Sequence, residues 1–368
     1  MINIGNILKR SWHILWNYRT LWFFGFLLAL TGGGSGSGSG SGGSSGFRFN
    51  SNNNNGSSNS FQPGPFWQSV TDWVNQNISP LFVHPDQHVV TFIWIGVAFL
   101  LFILLMGAIA SIIRYVSETA AIRMVDEHEQ NGTKVGFKQG WKLGWNRRAF
   151  RMWVIDLVIS LPVILFMLLL VGLGALVFFS ATNAGSTLAI GGMIAAGGCA
   201  LLFVLVFVVL MVFLGLLRPF FVRAAALEET RIGDSFRRGW SMFKGNWKSA
   251  ALMWLAMIGI GIGYGIVILI IFFMLIPAYI LLALPAVIVA AIPATFVFAI
   301  TSIFSSGVVA WVAATLVALP FFLLVVFAPL TLVSGWYQIF SANVWTLTYR
   351  EIKALETVKP EIVPAETA

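Results

Sequence analysis

Ser249 to Tyr349 reads SAALMWLAMIGIGIGYGIVILIIFFMLIPAYILLALPAVIVAAIPATFVFAITSIFSSGVVAWVAATLVALPFFLLVVFAPLTLVSGWYQIFSANVWTLTY, and not one of its 101 residues is charged. An Arg, Lys or Asp at the centre of a spanning helix costs roughly 2.5–3.5 kcal/mol, so an uncharged run of this length marks chain that sits in hydrocarbon. A helix rises about 1.5 Å per residue and a bilayer core is about 30 Å thick, which gives the run length for up to about five crossings. The whole chain agrees. Of its 368 residues 58% are hydrophobic and 10% charged, against about 45–50% and about 25% in a soluble domain. That excludes a soluble globular protein, and the aliphatic and aromatic content excludes disorder for most of the chain. The single cysteine, Cys199, cannot form an intrachain disulfide, and four histidines leave little material for a metal site.

Two more long uncharged runs lie upstream. Val89 to Ile113 is one; Trp153 to Leu217, broken only by Asp156 and by the polar stretch Ser180 to Ser186, reads as two spans joined by a tight turn. The first span, Leu21 to Leu30 (LWFFGFLLAL), is short enough for a signal-peptide core after Lys9, Arg10 and Arg19. The Thr and Gly run behind it lacks a small-x-small cleavage pattern. We therefore read a span whose helix starts near Ile14, with Arg19 snorkelling to the interface.

The cations fix the topology. Three precede Leu21, eight lie from Arg114 to Arg151, seven from Arg218 to Lys248 and three from Arg350 to Lys359, leaving only Arg48 outside these alternate segments. Lys and Arg near span ends are retained on the cytoplasmic side, so both termini and both basic loops are expected inside, which demands an even number of crossings. The expected fold is an all-α integral membrane protein of six spans, with eight as the alternative. Two full spans fall at Ala251–Leu281 and Val308–Leu332. Leu284–Ile303 is expected to be broken, re-entrant or interfacial, because Pro277, Pro285 and Pro293 interrupt a regular helix.

The chain then divides into residues 1–30 (N-terminal helix and first span), 31–88 (an outer loop), 89–350 (the bundle, with basic loops 114–151 and 218–248) and 351–368 (a tail). The loop opens with GGGSGSGSGSGGSSG and FRFNSNNNNGSSNS, a low-complexity spacer. In its last part Phe66, Trp67, Val70, Trp73, Val74 and Ile78 fall at helical spacing, which predicts an amphipathic helix on the outer leaflet, or alternatively a partner-binding one.

A motif recurs on the basic side. Leu8-Lys9-Arg10-Ser11-Trp12, Phe137-Lys138-Gln139-Gly140-Trp141 and Phe236-Arg237-Arg238-Gly239-Trp240 share a large apolar residue, polar or basic residues, a small residue, then Trp. Trp16-Asn17 and Trp145-Asn146 extend the first two copies, and Asn246-Trp247 the third. Each copy runs into a hydrophobic span, which predicts three repeats, each a short amphipathic helix feeding a hairpin. Leu8, Trp12 and Trp16 share one helical face, as do Phe137, Trp141 and Trp145, and Phe236, Trp240, Phe243 and Trp247. Lys134, Lys138 and Lys142 flank the second stripe, and Arg237, Arg238, Lys244 and Lys248 the third. Such helices lie at an interface, rings among acyl chains and cations at anionic headgroups. They either anchor and orient the hairpins or form pockets for phospholipid headgroups; the expected partners are anionic membrane phospholipids, and no nucleic acid is expected.

The order of spans, the [FL]-x-x-[GS]-W helices and the closing Trp345-Thr346-Leu347-Thr348-Tyr349-Arg350-Glu351 resemble a broad group of uncharacterised bacterial polytopic proteins. That group is similar to the membrane domain attached to some glycerophosphodiester phosphodiesterases. The resemblance covers most of the chain outside the Gly/Ser/Asn loop. It implies the bacterial cell membrane and a link to lipid. It implies no catalysis, since the phosphodiesterase barrel needs about 250 residues and no soluble segment here is that long.

Little else carries chemistry. His84 and His88 flank Pro85-Asp86-Gln87, a span boundary rather than a metal site, and Asp126-Glu127-His128-Glu129 is an acidic run expected to be solvated or paired. There is no GxxxxGK loop, no HExxH and no GxSxG, so neither an enzyme nor a cofactor is expected. Asp156 is the intramembrane carboxylate, and an ion pair with Arg151, Arg114 or Arg218 is its expected state. Gly259, Gly261, Gly263 and Gly265, and Gly191, Gly192, Gly197 and Gly198, are expected to serve close helix packing. Two functions follow: a non-enzymatic membrane module that organises lipid or envelope partners, or a transporter or permease component.

Overall fold

In the computed structural model the described residues are 2–32, 89–183, 186–228, 231–304 and 308–358. They form eleven helices and no strand: α1 (Ile4–Asn17), α2 (Thr20–Leu30), α3 (Val89–Asn131), α4 (Phe137–Gly144), α5 (Arg147–Asn183), α6 (Ser186–Leu227), α7 (Ile232–Gly245), α8 (Trp247–Met274), α9 (Ile276–Phe304), α10 (Val308–Val326) and α11 (Ala328–Val358). Five of them, α3, α5, α6, α8 and α9, are long and apolar enough to cross a membrane. The pair α10 and α11, bent by 66°, makes a sixth if counted as one span, and α2 is a shorter apolar helix. The outer loop, with its expected amphipathic helix and the two histidines, lies outside the described residues.

The chain forms two compact units. The first takes in Ala110–Phe273 with the described parts of Met1–Gly38 and Pro329–Ala368. Its core is where three inner helices are buried on every side for two turns or more: residues 115–122 of α3, 219–226 of α6 and 339–349 of α11. The fifth residue after Arg114, Arg218 and Gln338 is polar and fully buried in each, namely Thr119, Arg223 and Asn343. Away from this core the same unit exposes Leu161, Leu165 and Leu168 on α5, Leu202, Leu205 and Val209 on α6, and Ile262, Ile266 and Leu269 on α8. A belt of that size is what a bilayer covers.

The repeat is built as a ring. Each short amphipathic helix lies against the hairpin before it: α4 on α2 and α3, through Phe137 against Phe23 and Phe24; α7 on α5 and α6, through Phe236 and Trp240 against Phe221 and Phe213. Helix α1 closes the ring on α8 and α11, through Trp12 against Phe340. Ion pairs tie one end of this unit together. Arg10 pairs with Glu129 and Arg350 with Asp126, while Arg238 reaches Glu228 and Glu356 and Lys353 reaches Glu228. The helices nearest both chain ends and the two basic connections therefore share one end.

The second unit contains the antiparallel hairpin α9–α10, in which Phe298 packs on Trp311 and Tyr279 on Phe327. Ala286 and Ala290 on α9, and Ala310 and Ala314 on α10, are its buried residues at i, i+4 spacing. Small residues let two apolar helices approach closely.

Several expectations need correction. The basic stretches 114–151 and 218–248 are not loops throughout, since α3 runs on to Asn131 and α6 to Leu227. Leu284–Ile303 is not broken: α9 is one helix with Pro285 and Pro293 inside it and Pro277 in its first turn, where the missing N–H costs nothing. The breaks come at Leu275 and Phe327. The first span does not start at Ile14 either. Tyr18 leaves the helix, its hydroxyl donating to Val135 O at 2.8 Å and accepting from Val135 N at 2.6 Å, and Trp22 Nε1 donates to Leu15 O at 2.7 Å. Burial, opposed by the Val135 bond and reinforced by Glu127, pushes the Tyr18 hydroxyl up to about 12, so it keeps the proton that this bond needs. Of the α8 glycines Gly261 alone meets another helix, where a Cβ would come within 3.1 Å of the Tyr337 hydroxyl of α11, while Gly259, Gly263 and Gly265 face open space. The close approach is Gly25 to Gly335, where a Cβ on Gly25 would stand 2.5 Å from the Gly335 carbonyl oxygen.

Gly25→Ala must therefore push α2 and α11 apart and is expected to destabilise the detergent-solubilised protein by about 1–3 kcal/mol. Gly263→Ala is expected to be neutral or slightly stabilising, as read by thermal melts of both variants beside the parent.

Candidate membrane interface

Each of the three amphipathic helices turns a small residue inward and leaves at least one tryptophan in or capping it exposed. Helix α1 starts where Asn3 Oδ1 accepts from Asn6 N at 3.2 Å, buries Ile7, Ser11, Ile14 and Leu15, and leaves Trp12 54% and Trp16 45% exposed. Helix α4 buries Gly140 and Gly144 and exposes Phe137, Lys138, Lys142 and the capping Trp145. Helix α7 buries Ser235, Gly239 and Met242 and exposes Arg237, Trp240 and Lys244, with Trp247 and Lys248 exposed at the start of α8. The small residue before the first Trp is a steric requirement. A Cβ on Gly140 would lie 2.5 Å from Met124 Sδ, and one on Gly239 2.5 Å from Phe221 Cδ1. Ser11, fully buried, holds that place in the first copy.

Five of the residues singled out by the repeat are not free at this surface. Leu8, Trp141 and Phe243 are partly buried against the core, Phe236 packs on Phe221 with ring centroids 4.8 Å apart, and Arg238 is claimed by Glu228 and Glu356. The other stripe residues, Trp12, Trp16, Phe137, Lys138, Lys142, Trp145, Arg237, Trp240, Lys244 and Trp247, are exposed. They lie on three separate helices and converge on no common headgroup pocket. What they supply is aromatic rings beside cations at three places around one unit, as where Lys248 Nζ lies 6.0 Å from the Trp247 ring. Rings of this kind settle at the headgroup level, and cations beside them face anionic lipid.

Asp156 lies in a charged cluster between α3, α5 and α6. Arg218 grips it with two hydrogen bonds, Nε to Oδ1 and Nη2 to Oδ2, each 2.7 Å. Tyr115 donates to Oδ2 at 3.1 Å, and Arg114 stands 3.6 Å away. The same Arg218 Nη2 reaches Glu118 Oε2 at 3.4 Å, while Glu118 Oε1 is buried with no hydrogen-bond partner among the described residues. Nearby on α6 and α11, Arg223 donates to Pro219 O and Ala342 O, and both polar side-chain atoms of Asn343 are buried with no partner among the described residues. Arg218 and Arg114 are two of the partners expected for Asp156, whereas sequence reading missed Glu118, Arg223 and Asn343 and took Arg218 as the edge of a loop. The signal lay in Val116, Ala120, Ala121, Met124 and Val125, apolar or small at helical spacing beyond Arg114. Among the described residues no three His, Cys, Asp or Glu side chains gather to hold a metal ion.

Residues 9–348 match the model of a family of unknown function, DUF7544, and the chain belongs to that family. No curated protein and no solved structure matches it.

Two outcomes test the charged contacts. Asp156→Asn leaves the Arg218 guanidinium without its bidentate partner in a buried place, and is expected to cost about 3–5 kcal/mol in a thermal or denaturant melt, part of it regained in the double variant with Arg218→Gln. Glu228 is pushed up by burial, but hydrogen bonds from Lys353 and Tyr349 and the Arg238 charge outweigh that and hold it below the usual carboxylate range. A carboxylate depressed in the folded state stabilises fully above its unfolded value and loses that contribution as pH falls through the depressed one. Glu228→Gln should therefore flatten the acid side of the stability profile, measured by melting temperature between neutral pH and pH of about 3.

Proposed function

We propose that this member of a family of unknown function is a non-enzymatic membrane module that gathers anionic phospholipid in the leaflet facing its basic end, the cytoplasmic leaflet of the bacterial cell membrane. The carrying observation is the ring of three amphipathic helices, each locked inward by Ser11, Gly140 or Gly239 and each presenting exposed tryptophan outward, with free cations beside it on α4 and α7. Packing of this kind fixes the orientation of the outer face, so rings and cations meet the interface in a set geometry rather than by chance. The cation count by segment supports the inside placement of that end. The resemblance to the membrane domain attached to some glycerophosphodiester phosphodiesterases points toward lipid as well, and brings no catalysis with it.

A second reading, a transporter or permease component, is favoured by one observation. Glu118, Arg223 and Asn343 bury polar atoms between helices that would otherwise be apolar, and intramembrane polar groups often line a substrate or ion path. Flux of a solute through proteoliposomes would support this reading over the first.

The test of the first is lipid mass spectrometry after gentle extraction of the full chain. The parent is expected to retain anionic over zwitterionic phospholipid. Each basic group near an anionic surface is worth about 1 kcal/mol, so replacing Lys138 and Lys142 by Ala should lower that retention by about tenfold or more. Retention without headgroup preference, or unchanged in the double variant, overturns the proposal.

A further inference from the structure

The three junctions of the ring are equivalent in plan and unequal in filling. Under α4, the Phe137 ring lies 4.6 Å from Phe23 and 5.6 Å from Phe24. Under α7, Phe213 meets Trp240 at 6.0 Å and Phe243 at 6.3 Å, and Phe243 meets Phe220 at 6.0 Å. Under α1, where the ring closes on α8 and α11, the rings also touch, Trp16 and Trp336 each meeting Trp22 at 5.4 and 5.2 Å, but they leave a space beside them. Trp12, Trp16, Trp22, Tyr264, Trp336 and Tyr337 wall a cavity of about 350 Å³.

Three features say what fits there. The wall is aromatic and aliphatic, and on α8 it adjoins Ile262 and Ile266, which are exposed on the apolar belt, so the cavity is continuous with the surface that hydrocarbon covers. Tyr264 spends its hydroxyl on Ser334 at 2.8 Å, whereas the Tyr337 hydroxyl, stacked beneath it with centroids 4.1 Å apart, has no partner among the described residues. Gly261 makes room for that hydroxyl, since a Cβ there would come within 3.1 Å of it. Finally, Arg19 falls between Trp16 and Trp22 in sequence, is exposed, and pairs with no carboxylate among the described residues. An apolar slot with an unclaimed donor in its wall, and a cation close in sequence to two of its wall residues, match an amphiphile with a hydrocarbon chain, an ester carbonyl and a phosphate.

We infer that the cavity between α1, α8 and α11 is a binding site for one acyl chain of an anionic phospholipid, with the Tyr337 hydroxyl donating to an ester carbonyl and Arg19 facing the phosphate. This deepens the lipid reading and rests on it. It turns an annular preference into one defined site, and it makes the N-terminal helix the element that a bound lipid holds in place.

The test uses the full chain in nanodiscs containing phosphatidylglycerol with a photoactivatable diazirine on one acyl chain, followed by digestion and mass spectrometry. Adducts are expected on the peptides carrying Tyr264 and Trp336–Tyr337. Val333→Phe, and separately Val267→Phe, should reduce them by about tenfold, because excluding even two methylenes from burial is worth that factor. Val267 is half exposed, so its variant is expected to fold normally and keeps the test informative if Val333→Phe does not. Arg19→Gln should lower labelling by phosphatidylglycerol but not by a phosphatidylcholine probe. Adducts spread evenly along α5, α6 and α8, or unchanged in the Val267 variant, overturn the site while leaving the headgroup preference at Lys138 and Lys142 standing. Site-specific adducts in a protein that shows no such preference overturn the interfacial reading alone.

Discussion

The first unit depends on one steric constraint repeated three times: an amphipathic helix can press against the preceding hairpin only where its own side chain is almost absent. Gly140 meets Met124 and Phe24, Gly239 meets Phe221, and Ser11 is sealed at the corresponding place. On a helix the residue that follows points about a quarter-turn away, so burying the small residue forces the next one, Trp12, Trp141 or Trp240, toward the rim of the contact. Trp12 and Trp240 end exposed, while Trp141 packs partly inward against the two buried clusters. Packing and surface chemistry are thus set by two adjacent residues, which is why the motif is so short.

The same end of the unit concentrates nearly all the polar burial. Asp156, Glu118 and Arg218 form their contacts there, and so do Arg223, Ser341 and Asn343. Buried ion pairs are poor sources of net stability, because desolvation offsets most of the Coulombic gain. Their effect is on specificity. Arg218 accepts no substitute geometry once two carboxylates on different helices share it, so α3, α5 and α6 are fixed in register. The outer ion pairs act similarly on α7 and α11: Glu228 joins Arg238, Lys353 and the Tyr349 hydroxyl, and a rotation of either helix would break at least one of these.

Much of this was legible in the residues and some of it was not, for identifiable reasons. The uncharged run from Ser249 to Tyr349 read correctly as apolar helices, because the cost of burying charge acts on every residue, and the cationic segments are tied by ion pairs at one end of the first unit. The repeat was legible because Gly-Trp and Ser-Trp pairs at matching distances from a span carry their own mechanism. Helix ends were not, since Arg114 and Arg218 read as the edges of loops. Charge is excluded from hydrocarbon but not from a protein core that supplies partners, and the chain alone does not say where those partners lie. Prolines misled for a related reason: Pro285 and Pro293 break a helix in water, where the freed carbonyls have alternatives, but are carried within α9. The α8 glycines looked like a packing stripe, yet the close approach belongs to Gly25 and Gly335, each isolated in sequence and visible only when α2 and α11 are brought together.

The inequality among the three junctions argues that repetition here supplied a frame rather than a finished site. A ring of three like parts would be expected to close identically, with each amphipathic helix filling the groove below it, as Phe137 and Phe243 do in two of the copies. In the remaining copy, four tryptophans and two tyrosines stand around an opening. Large rings left around a void lose dispersion contacts on one side, which disfavours such an arrangement unless something occupies it. The residues that line it are amphipathic aromatics, suited to an occupant that is apolar along its length and polar at one end.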